Sequence, residues 1–217
     1  LTATQLTLRS TQADVAVKGQ ARLDDVPMTG SWRLSLLDKG EPSVLLAQVP
    51  VGPDTAKKLG IKLPDGMFSG AAVGALRVEI DGKSPPKFAL TSDLEGLSAR
   101  IDPLGFRFGA AESGRLAVSG SFSNPVKVTS LSIDAGSLSA TGDLSVRLGG
   151  DLERLDFTDF MIEPWLSGRV SLIGRDGTSV PAIILENAII DLRNAPKGIG
   201  DLAGEGRVGG STGGSLD

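Results

Sequence analysis

The chain has 217 residues, 40% hydrophobic and 22% charged, which is enough apolar material for a packed core and too apolar a mixture for a disordered tail. It contains no Cys and no His, which excludes disulfides, Cys/His zinc sites, cysteine nucleophiles and every Ser-His or Cys-His catalytic pair. A net charge of −4 argues against a nucleic-acid partner, and 4% aromatics with no Tyr leaves few platforms for sugars or bases.

Along the chain the dominant signal is an alternation of period two, the mark of strands with one dry and one wet face. Val15, Val17, Ala21 and Leu23 alternate with Asp14, Lys18, Gln20 and Arg22. Trp32, Leu34 and Leu36 alternate with Ser31, Arg33 and Ser35. One helix start stands out at Pro53-Asp54-Thr55-Ala56-Lys57-Lys58-Leu59, which predicts a short helix near residues 54–60 with Asp54 or Thr55 as cap and Gly60 as stop. Leu76, Val78 and Ile80 then alternate with Arg77, Glu79 and Asp81. Leu116 with Val118, Val126 with Val128, and Leu131 with Ile133 repeat the rule. The longest run sets Leu138, Ala140, Gly142, Leu144, Val146 and Leu148 against Ser139, Thr141, Asp143, Ser145 and Arg147, and Val170 with Leu172 closes the series. Turn chemistry separates these runs at Asp38-Lys39-Gly40, Asp81-Gly82, Asp102-Pro103-Leu104-Gly105, Ser123-Asn124-Pro125, Asp134-Ala135-Gly136, Gly149-Gly150-Asp151 and Arg175-Asp176-Gly177. The prediction is an all-β fold: an elongated, curled antiparallel sheet, a groove or half-barrel trough, of about 12–14 strands.

About 20 aliphatic side chains share the dry face, and leaving them in water would forgo up to roughly 30–60 kcal/mol. Something must cover that face: a second sheet, the sheet curled on itself, or an apolar ligand. Glycines within the strands mark places where a sheet can bend. An aliphatic, aromatic-poor lining suits hydrocarbon chains. The candidate groove or core-facing residues are Trp32, Leu34, Leu36, Leu76, Val78, Ile80, Phe106, Phe108, Leu116, Val118, Leu138, Leu144, Val146, Leu148, Val170 and Leu172. A structural envelope scaffold or interaction domain with a closed β-sandwich core is the alternative.

Motifs that would carry chemistry read as ordinary structure. Gly204 to Gly209 matches G-x-G-x-x-G but lacks a preceding strand and a following helix, and Gly209 to Gly213 matches G-x-S-x-G in a chain without His. Ser84-Pro85-Pro86-Lys87 matches S-x-x-K, yet the prolines forbid the helical turn that would bring Lys to Ser. Asp151, Glu153, Asp156, Asp159 and Glu163 form a solvated acidic face, Asp24-Asp25 a turn, and Lys57-Lys58 a surface pair. No catalytic residue, metal site or cofactor is expected, and the protein is read as a non-enzyme.

The segments Gly60 to Gly70, Phe88 to Leu97, Gly114 to Gly120, Val128 to Ile133, Ala140 to Leu144, Trp165 to Gly174 and Ile189 to Arg193, in that order, resemble the periplasmic region of the AsmA superfamily, in its YhdP-like branch. The resemblance covers roughly residues 15–195 and rests on the succession of strand patterns. It implies a repeating β-groove of the bridge-like lipid-transfer type, with phospholipid as cargo between inner and outer membranes. It further implies a periplasmic location and an inner-membrane anchor outside this segment; end-to-end contact with neighbouring groove segments is a separate expectation. On this reading residues 1–200 are one groove segment of a larger protein, and the Gly/Ser-rich residues 201–217 are a linker or a truncated next strand.

Overall fold

The computed structural model describes residues 2–23, 25–38, 40–58, 66–148, 151–174 and 182–196. Twelve strands form one antiparallel sheet: β1 (Thr2–Ser10), β2 (Asp14–Leu23), β3 (Val26–Ser35), β4 (Ser43–Val51), β6 (Ala72–Ile80), β7 (Lys87–Ser92), β10 (Arg115–Ser121), β11 (Lys127–Ala135), β12 (Leu138–Val146), β13 (Leu152–Ile162), β14 (Leu166–Ile173) and β15 (Ala182–Ile190), adjacent in that order. Three short strands, β5 (Phe68–Gly70), β8 (Leu97–Ile101) and β9 (Phe106–Phe108), form a second sheet in the order β5-β8-β9. The large sheet is curled and open: β1 and β15 are its two edges and do not pair with each other. At ~4.8 Å per strand it is about 50 Å wide.

Antiparallel pairing places the connections alternately on two long sides. The β1/β2, β3/β4, β6/β7, β10/β11 and β12/β13 connections lie on one side. The opposite side carries α1 (Pro53–Lys58), the second sheet, and the turns β2/β3, β11/β12 and β13/β14. The second sheet therefore sits where two connections, β4 to β6 and β7 to β10, deposit it, against one margin of the apolar face.

The buried core lies under that margin. Leu94, Ala99, Phe106, Phe108 and Ala135 are buried together, with Leu116, Ile133 and Leu138 of the large sheet packed against them. Next to them Ile162, Trp165 and Leu166 form a second buried group with Leu104, Leu138, Phe160 and Ala195. Among the described residues the two buried clusters of the main strands both lie along this side, while Ala47, Val78 and Val170 are buried singly within the curl.

Two sequence expectations are corrected here. The strand material divides into two sheets, since the connection from β7 to β10 folds back as β8 and β9 and buries Phe106 and Phe108, at 2% and 3% exposure. These aromatics belong to the closed core, not to a groove lining. The helix begins at Pro53, with the Ala56 N–H donating to the Gly52 carbonyl, so Gly52 occupies the cap position and Asp54 lies in the first turn. Gly60, the expected stop, lies outside the described residues.

The turns behave as their chemistry dictates. Asp38 Oδ1 accepts from the Gly40 N–H, and Asp81 Oδ1 accepts from the Lys83 and Ser84 N–H groups, each at 2.8 Å. Ser84 to Pro86 form a loop before β7, and the matches at 204–213 lie outside the described residues.

Candidate functional site: an uncovered aliphatic face

Register decides which side chains share a face. Starting at one edge, the directly opposed positions run Leu8, Val17, Trp32, Leu45, Val78, Phe88, Gly120, Val128, Leu144, Leu155, Leu172 and Ile183. Two residues further along each strand, three across the β11 bulge, a second row on the same face runs Leu6, Gly19, Gly30, Ala47, Leu76, Leu90, Val118, Leu131, Gly142, Phe157, Val170 and Leu185. Both rows cross all twelve strands and contain no polar side chain. They form an apolar track about 50 Å long at right angles to the strands.

This continuity depends on bulges. In β13 the apolar residues Leu152, Leu155, Phe157, Phe160 and Ile162 change parity twice, so a regular strand would send some to each face. Register shifts beside Val146 and between Phe157 and Phe160 bring all five to the apolar side. A shift between Val128 and Leu131 does the same for β11, and one in β15 beside Asn187, whose φ is +50°, puts Ile190 on the apolar side with Ile183 and Leu185 while Ile184 and Ile189 stay on the other. Asn tolerates that left-handed conformation better than most side chains. Glycine supplies the remaining room: a Cβ built on Gly142 would lie 1.9 Å from the Asp156 carbonyl oxygen.

The opposite face is polar. Arg33 pairs with Asp14 at 2.8 Å and Arg77 with Glu79 at 2.9 Å, while Arg154 pairs with Asp156. Asp156 also accepts from Ser171 Oγ at 2.5 Å. The Arg154 guanidinium, then the Ser171 hydroxyl, hold the Asp156 carboxyl below its ordinary value of 3.8. Asp14 is held low first by Thr11 and then by Arg33. Asp156, and Asp159 through the Thr141 hydroxyl, are thus tied into this face, and no group of three metal-ligating side chains occurs among the described residues. Lys58 Nζ donates to the Asp25 carbonyl, so one of the two helix lysines braces a turn.

Of the candidate residues, Trp32, Leu34, Leu76, Val78, Ile80, Leu116, Val118, Leu138, Leu144, Val146, Val170 and Leu172 fall on the one apolar face. Leu116 and Leu138 lie under the second sheet. Leu36 and Leu148 lie in loops past the strand ends, Leu148 at 72% exposure. Sequence reasoning passed over Leu45, Phe88, Leu90, Leu155 and Phe157. Val44-Leu45-Leu46-Ala47 is apolar at every position and gives no phase; only pairing with Trp32 and Val78 assigns Leu45 to the apolar side.

Two shallow cavities, of about 290 and 410 Å³, lie beside the β13 and β15 bulges and beside the second sheet, and neither is lined by the two rows. The track itself is the inner face of the curl: Ala47, Val78 and Val170 are buried, most of its other residues are half-buried, and only the edge positions Leu6, Leu8, Ile183 and Leu185 are exposed. No helix among the described residues is long and apolar enough to cross a membrane. No family model, curated protein or solved structure matches the chain.

Proposed function

We propose that the apolar track binds phospholipid acyl chains and lets them slide along it, as one segment of a lipid conduit between the two membranes of a bacterial envelope. The observation that carries this reading is the pair of continuous apolar rows on the inner face of an open, curled sheet, with no second layer over them among the described residues beyond the margin held by the second sheet. A bound acyl chain would gain about 0.8 kcal/mol per CH₂ removed from water. Aliphatic side chains offer no directional contact that would hold it at one point, so lateral movement meets no deep well. The polar face keeps the other side of the sheet wetted, and head groups remain at the open side with the loops. The resemblance to the YhdP-like branch supports a periplasmic setting with the membrane anchor elsewhere. No chemistry is assigned to the site.

The test is mass spectrometry of lipids extracted from protein purified without detergent, after removal of free vesicles. Phospholipid at a fixed ratio to protein is expected. Lipid-free protein, after incubation with phospholipid vesicles, refutes the reading. The alternative, a scaffold without lipid cargo, has its support in the closed core under the second sheet.

A further inference from the structure

Among the described residues, the β15 edge is unlike a protected edge strand. Edges are normally blunted by Lys, Pro, shortness or a covering element, because their free N–H and C=O groups invite another strand. Strand β15 is nine residues long, carries one charge and no proline, and is apolar on both faces. Ile183, Leu185 and Ile190 lie on the track side and Ile184 and Ile189 on the polar side, with exposures between 39% and 73%.

We propose that β15 pairs antiparallel with β15 of a second copy of this chain about a two-fold axis normal to the sheet. An isologous contact requires a surface complementary to itself. Read in both directions, residues 183–190 (IILENAII) nearly repeat themselves. With the axis between Glu186 and Asn187, Ile183 faces Ile190, Ile184 faces Ile189, Leu185 faces Ala188, and Glu186 faces Asn187 of the partner. Each pair must also lie on one side of the sheet. Ile183 and Ile190, opposite Leu172 and Leu166, are both on the track side; Ile184 and Ile189, opposite Ser171 and Ser167, are both on the polar side. The bulge at the centre changes the parity of β15 halfway along, and that change is what makes the faces match in this register. Glu186 meets an amide rather than a second carboxylate, so no like-charge contact arises. Edge β1 offers no such symmetry: Leu6 and Leu8 are apolar on one face, while Thr7 and Arg9 occupy the other. Pairing at β15 joins the two apolar tracks on the same side into one sheet of twice the width. The inference goes beyond the lipid reading and does not depend on it.

The test is the mass of the full chain in solution, by light scattering during gel filtration at micromolar concentrations. Wild type and the β1-edge control Leu8→Lys are expected as dimers, and Ile184→Lys, on the polar side and clear of the track, as a monomer with unchanged far-UV circular dichroism. Because the chain has no Cys, cross-linking has no background. An equal mixture of Ile184→Cys and Ile189→Cys chains should give a disulfide dimer on oxidation, and each variant alone should not. This holds even if Ile184→Lys fails to fold. A monomeric wild type, a dimer that survives Ile184→Lys, or a mixture that does not cross-link overturns the proposal.

Discussion

Leu144 lies in the middle of the track, with Val128 and Leu155 directly opposite on its two neighbours. Replacing it by Asp puts a carboxylate where an acyl chain must pass. About four methylenes span one ~4.8 Å strand spacing, and a chain that lifts off the carboxylate returns them to water. At about 0.8 kcal/mol each this costs about 3 kcal/mol, more than a hundredfold in local occupancy. The neighbouring substitution Ser145→Asp gives the same charge on the polar face. Ser145 is exposed and stands in register between Lys127 and Arg154, so a carboxylate there meets two cations. The assay is transfer of a fluorescent phospholipid between donor and acceptor vesicles, with lipid retained per chain measured alongside. Leu144→Asp is expected to lose most of its transfer and retention, and Ser145→Asp to keep both. Equal loss in the two variants, each folded by circular dichroism, would refute the assignment of faces. Full activity in Leu144→Asp would refute the track itself.

Other outcomes follow from the packing and charge. Phe106→Ala empties a fully enclosed site and should cost about 3–5 kcal/mol, lowering Tm by about 10 °C in calorimetry; an unchanged Tm would mean the second sheet does not hold the margin. Gly142→Ala places a methyl against the backbone of β13, which cannot yield as a flexible side chain would. A loss of at least about 1–3 kcal/mol is expected in urea denaturation, whereas a neutral result would show the sheet relaxing there. Asp14, Asp81, Asp102 and Asp156 all have carboxyls held below 3.8 in the folded chain. Their contribution is present above the unfolded value and is lost as pH falls through the lower folded values. Stability should therefore drop on acidification below about pH 4, and Asp156→Asn should make that fall shallower in pH-dependent denaturant melts.

The alternation from Leu138 to Val146 fixes a strand and its wet side without any tertiary information, because side chains in a strand must alternate. The same local rule made Trp32, Leu76, Val78, Leu144, Val170 and Leu172 legible as members of one face, and local backbone preference made the Pro53 helix legible. Tertiary structure decided what local rules leave open. Phe157 and Phe160 differ in parity, and only the pairing of β13 with β12 and β14 shows the bulge that turns both inward. Phe106 and Phe108 satisfy the pattern of a lining strand, yet long-range contacts with Leu94, Ala135 and Leu138 close them into a core. Leu45 sits in a run with no phase until Trp32 and Val78 flank it. Periodicity specifies which residues want to leave water; which partner they leave it for depends on register and on where the crossings drop the second sheet, and both are set by contacts far apart in the chain.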